Sequence, residues 1–78
     1  MSVSNKLRAL LSITGHKLPD LAAPLDISVQ AVRNKFSRDS FSADDLIKIS
    51  TALDCELSIK TKDGQTILLM PDDLKKSS

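Results

Sequence analysis

The chain has 78 residues, a formal net charge of +1, 41% apolar residues, two Phe and neither Trp nor Tyr, which suits one small aliphatic core and leaves no room for a second domain. Cys55 alone makes no internal disulfide, and with the single His16 it supplies too few ligands for a metal site, so no cofactor and no secreted disulfide scaffold is expected. No apolar run approaches ~18 residues and no signal-peptide core opens the chain, so the expected setting is the cytoplasm, with no membrane partner.

The elements follow in chain order. From Ser4 to Thr14, Leu7, Leu10 and Leu11 share a helical face, and Gly15 is a natural C-cap. In "KLPDLAAPLD", Leu18, Leu21, Ala22 and Leu25 recur at helical spacing; Pro19 suits a first turn, whereas Pro24 removes a backbone bond inside the helix. The second helix is therefore expected to be short, and bent or ended near Leu25. Ser28 is the N-cap of a third helix, with Ile27 and Val32 at hydrophobic-staple positions and Val32 and Phe36 turned inward. "SRDS", from Ser37, reads as a polar loop. Ser42 and Asp45 have capping-box spacing for a fourth helix, flanked by Phe41 and Leu46, with Leu46, Ile49, Ala52 and Leu53 as its buried stripe and Ile47 beside it.

After Asp54 the period changes. "ELSIKTKDGQTILLM" is rich in β-branched residues around Asp63-Gly64, a hairpin signal. A two-residue turn there sets Ile59 against Leu68 and Leu57 against Met70 on one side, with Lys60 against Ile67 and Ser58 against Leu69 on the other. The second side, carrying Ile67 and Leu69, is expected to be the less buried. Pro71 ends the strand, and "DDLKKSS" reads as a frayed tail.

Among these residues, "LAAPLDISVQAVRNKFSR" resembles the helix-turn-helix of the lambda-repressor-like family. Leu21-Ala22, Leu25, a turn residue at Asp26, Ile27 and Ser28 stand where that family has its Leu-Ala pair, leucine, glycine turn, apolar residue and helix-opening serine. Asp is among the few residues that tolerate the left-handed backbone such a turn requires. "FSADDLIKISTALDCEL" is similar to the helix that packs under the motif. The resemblance spans roughly Leu7 to Leu57 and leaves the hairpin outside the shared core.

The expected fold is mainly α: a single domain over 1–78, with a four-helix helix-turn-helix core over about 4–54, a C-terminal β-hairpin over about 56–70 and a tail over 71–78. The resemblance implies that the helix after Ser28 enters the major groove of double-stranded DNA. Ser28, Val29, Gln30, Arg33 and Asn34 then fall at base-reading positions. Gln and Asn suit adenine, Arg suits guanine, and Val29 suits a thymine methyl. Lys17, Leu18, Lys35, Ser37 and Arg38 fall at backbone-contacting positions, and Lys6 and Arg8 are assigned to solvent.

Taken alone, three cations on a helix face are only a solvated surface; the motif around them changes the reading. His16 reads as a loop residue rather than a catalytic base, Asp44-Asp45 as helix capping, and Cys55 as a small buried side chain. The chain is therefore expected not to be an enzyme and to have no evident small-molecule ligand. The expected function is a small phage- or mobile-element-type transcriptional repressor, a homodimer on a palindromic operator, with Ile67 and Leu69 at the interface. The rival class is a protein-interaction module on the same scaffold, an antitoxin-like or phage-encoded inhibitor.

Overall fold

The computed structural model describes residues 2–74. Four helices precede an antiparallel two-stranded sheet. Helix α1 covers Val3–Thr14, with the Ser2 hydroxyl accepting the Asn5 amide at its start. The second helix is split. Leu18–Leu21 is a 3-10 turn with Pro19 in its first positions, and α2 is only Ala22–Leu25. The proline-rich sequence predicts this, since Pro24 leaves no run long enough for several α-turns. Helix α3 spans Val29–Arg38 and α4 spans Ala43–Ala52.

All four helices end alike. The chain turns left-handed at Gly15, Asp26, Asp39 and Asp54, and the next amide reaches back five residues: His16 to Leu11, Ile27 to Ala22, Ser40 to Lys35 and Cys55 to Ser50. This closes the orphan carbonyls of each helix end. Asp26 holds φ 55° as expected of the motif's turn residue. Asp39 places the end of α3 later than expected, so Ser37 and Arg38 are helical and not loop.

The core is formed by Leu7 and Leu11 from α1, Leu21 and Leu25, Val32 and Phe36 from α3, and Ile49 and Leu53 at α4. Leu21 and Val32 are fully buried, and each such side chain stabilises by about 1.5–3 kcal/mol. Ala22 packs beside them, small enough to let α2 approach α3. In α4 the buried stripe is corrected: Ile47 is buried while Ala52 is exposed. The polar member of that face, Ser50, donates to the Ile47 carbonyl at 3.0 Å, so its burial leaves no hydroxyl unsatisfied.

The sheet pairs β1 (Leu57–Lys60) with β2 (Thr66–Leu69). Its register is Leu57–Leu69, Ser58–Leu68, Ile59–Ile67 and Lys60–Thr66, one residue from the expected one. The turn has three residues, not two. Thr61 donates to Gln65 at 2.7 Å, Gly64 donates back to Thr61, and Gly64 sits at φ 93°. A slip of one residue changes which face every side chain of β2 meets. Leu57, Ile59, Ile67 and Leu69 now share one wholly apolar face, and Ser58, Lys60, Thr66 and Leu68 share the other. Leu69, expected on the less buried side, is half-buried with Leu57, whereas Ile67 is 57% exposed.

The expected frayed tail is partly ordered. Pro71–Asp73 forms a 3-10 turn in which the Asp73 carboxylate accepts the Met70 amide at 2.8 Å, and Leu74 is half-buried. The remainder of that tail, residues 75–78, lies outside the described residues.

Candidate nucleic-acid interface

Helix α3 decides what the candidate interface can present. Val32 and Phe36 face the core, so the opposite side carries Gln30, Arg33, Asn34 and Ser37, all exposed, with Arg38 at its flank. Ser37 lies two turns from Gln30, at the far end of the same exposed line. Gln30 and Asn34 meet directly: Gln30 Nε2 donates to Asn34 Oδ1 at 3.3 Å. That bond uses one of the two lone pairs of the Asn34 oxygen and leaves its amide nitrogen available as a donor. Ser28 is exposed, and its hydroxyl oxygen accepts the Ala31 amide as the helix cap. Val29 is half-buried, not fully exposed as expected, because it stands at the boundary between the core and polar faces.

Lys35 is corrected most. Its ammonium bonds Asp45 Oδ2 at 2.9 Å, with 28% and 15% of the two side chains exposed, and reaches the Ser40 carbonyl. Expected at a DNA phosphate, it instead ties the outer flank of α3 to the capping box of α4. The reason is angular: Lys35 lies on the side of α3 that faces α4, away from Gln30. Asp45 also accepts the Ser42 amide at 3.0 Å. Burial raises its carboxyl pKa, but the Lys35 and Ser42 hydrogen bonds outweigh this and hold it below the usual value.

At the start of the second helix, Lys17 is exposed, and its amide donates to Asp20 Oδ2 at 2.9 Å. That backbone bond, opposed by slight desolvation and helped by the neighbouring His16, lowers the Asp20 carboxyl pKa. His16 Nδ1 lies 3.3 Å from the same carboxylate. This helix start thus carries its own anion. Leu18, the other expected backbone contact here, is half-buried against the core, leaving its side chain unpresented.

Two features holding α3 were not read from the sequence. Buried Ser4 donates its amide to Asp39 Oδ1 at 2.8 Å, and its hydroxyl lies 2.7 Å from that oxygen and 3.0 Å from the Phe36 carbonyl. The Asp39 carboxyl pKa is lowered, chiefly by the Ser4 hydroxyl and amide. Arg8, assigned to solvent, lies 5.0 Å over the Phe36 ring, which meets Phe41 edge-on at 5.0 Å between centroids. Only the serine type at position 4, near a helix start, hinted at a polar role.

Geometrically the candidate site is an α2–turn–α3 pair that presents one polar face. A model of the bacteriophage CI repressor helix-turn-helix domain matches residues 6–66. The chain belongs to that family. It is thereby a DNA-binding, repressor-type regulator of the lambda-repressor-like class, a class of regulators and not of enzymes. The match runs past Leu57 to Thr66, so β1 and the turn fall within the family domain, contrary to the sequence reading that left the hairpin outside. No curated protein and no solved structure matches the chain. Among the described residues, no helix is long and apolar enough to cross a membrane.

Proposed function

We propose that the chain represses transcription by inserting α3 into the major groove of a palindromic operator, as a homodimer in the cytoplasm. The observation that carries this reading is the single exposed face of α3, on which Gln30, Arg33 and Asn34 stand together beside exposed Arg38. Gln30 and Asn34 suit adenine and Arg33 suits guanine, with Ser28 and the outer edge of Val29 beside them. Lys17, Ser37 and Arg38, and the backbone at Leu18, take the phosphates. Lys35 contributes by fixing α3 against α4 and only weakly by charge. Occupying a promoter by this face blocks transcription without further chemistry. The two-copy arrangement uses the hairpin, with Ile67 and Leu69 on the side toward the partner, and doubles the short sequence that one α3 can read.

Selection of bound sequences from a random duplex pool tests the reading; the expected product is a palindrome. Gln30→Ala and Arg33→Ala should each cost about 1–3 kcal/mol on the selected site and erode preference at particular bases. Arg38→Ala should weaken all duplexes alike and make the salt dependence shallower by about one unit of slope per copy. Failure to enrich any sequence overturns the proposal and favours the rival protein-binding module.

A further inference from the structure

The exposed face of α3 holds a hydrogen bond of its own. Gln30 and Asn34 stand four residues apart, the spacing at which helical side chains meet. Both are exposed, and Gln30 Nε2 donates to Asn34 Oδ1 at 3.3 Å. Among the described residues, neither side-chain amide bonds any other group, and Arg33 and Ser37 beside them bond no side chain.

The bond fixes orientation. A carboxamide has two ends, and only its oxygen accepts. With Gln30 donating, the Asn34 oxygen is held toward Gln30 and its nitrogen away. The bond uses one lone pair of that oxygen and one hydrogen of Gln30 Nε2. Each amide therefore keeps a lone pair and an N–H, the set that bonds adenine N6 and N7. The bond also sets spacing. Four residues rise about 6 Å along a helix, nearly two base-pair steps of about 3.4 Å. The bonded ends of the two amides stand only 3.3 Å apart, close to one step. Finally, it orders both side chains in advance, so less rotamer freedom is lost on docking.

We propose that Gln30 and Asn34 read two adjacent base pairs as one hydrogen-bonded unit, in which Gln30 sets which end of the Asn34 amide meets each base atom. This rests on the base-reading role given to α3 above and adds a coupling between two of its readers. Asn34 reads adenine because Gln30 holds its oxygen in place. Losing the Gln30 donor therefore alters specificity at a base that Gln30 does not touch.

Competition binding on single-base variants of the selected site tests the coupling. Ratios between site variants are compared, so a general change in affinity from added or lost charge cancels. The base pair whose preference Asn34→Ala erases is the one Asn34 reads. Gln30→Glu keeps the shape of the side chain and removes the donor. Asn34 then turns its nitrogen to the new carboxylate, which reverses the order of donor and acceptor it offers to DNA. Preference at the Asn34 base pair should fall about two- to tenfold, the worth of one hydrogen bond between neutral groups, although Asn34 is unchanged. Gln30→Lys keeps a donor for Asn34 Oδ1. It should hold the Asn34 preference within about twofold and move only its own, neighbouring base pair toward guanine. Asn34→Asp keeps the acceptor for Gln30, so it should change its own base toward cytosine and leave the Gln30 preference standing. Both positions are exposed, so each variant should melt as wild type does. A Gln30→Glu chain that changes preference at its own base alone overturns the coupling and leaves base reading by α3 intact. Base pairs two or more steps apart overturn it equally. A wild-type chain that enriches no sequence overturns base reading itself, and the coupling with it.

Discussion

The helical part and the hairpin differ in how fully each satisfies its own apolar residues. Between Leu7 and Leu53 the core side chains are buried, the helix ends are capped, and α3 is tied at Asp39 and Lys35. In the hairpin, the isoleucine pair and Leu68 remain open to water. The lesson is a division of labour. The helical part buries its apolar residues and presents α3, while the hairpin leaves most of its own in water.

The largest test of this contrast is Phe36→Ala. Phe36 is buried between Val32, Arg8 and Phe41, so its truncation should cost about 3–5 kcal/mol in a urea melt. A loss below about 1 kcal/mol would mean the helical core does not depend on it. Next comes Lys35→Ala, expected to cost about 1 kcal/mol because a partly exposed ion pair that also braces a capping box is lost.

The same bond has a pH signature. The folded Asp45 and Asp39 carboxyls titrate below the ordinary 3.8. Their stabilisation is therefore complete above that value and disappears as pH falls through the folded pKa values. Acid melts of wild type should weaken below about pH 4, and Lys35→Ala should show a smaller decline over the same range. Equal declines in the two chains would show that the Lys35–Asp45 bond does not contribute.

Of similar size is Gly64→Ala. A Cβ there meets no atom within 4 Å, but φ 93° strains any L-residue, at about 1 kcal/mol. Faster amide exchange confined to the hairpin is expected, with α1 and α3 protected as before. The smallest effect is Ile67→Asp. At sedimentation-monomer concentrations it should leave the melt within about 0.5 kcal/mol, because Ile67 is 57% exposed. A larger loss would mean the hairpin supports the helical core after all, and the contrast between the two regions would fail.

Particular residues show how far the sequence alone reached. Ser28, Ser42 with Asp45, Gly15 and Asp26 all act where their types and spacing indicated, because capping is settled within three or four residues along the chain. The polar face of α3 was legible for the same reason: once Val32 and Phe36 point inward, helical geometry turns Gln30, Arg33 and Asn34 outward. The role of Lys35 was not legible. Its partner is ten residues away on another helix, and an exposed lysine and an ion-paired one look identical in sequence.

The sequence by itself determined the order of the elements, the helix caps, the Asp26 turn and the polar face of α3, since each depends on neighbours within about one helical turn. The tertiary structure decided three further things. It brought Ser4 to Asp39, thirty-five residues apart, laid Arg8 on Phe36, and gave Lys35 to Asp45. It also decided the hairpin register, because a turn of three residues in place of two sends every side chain of β2 to a different partner and gathers Ile59 and Ile67 on one exposed face.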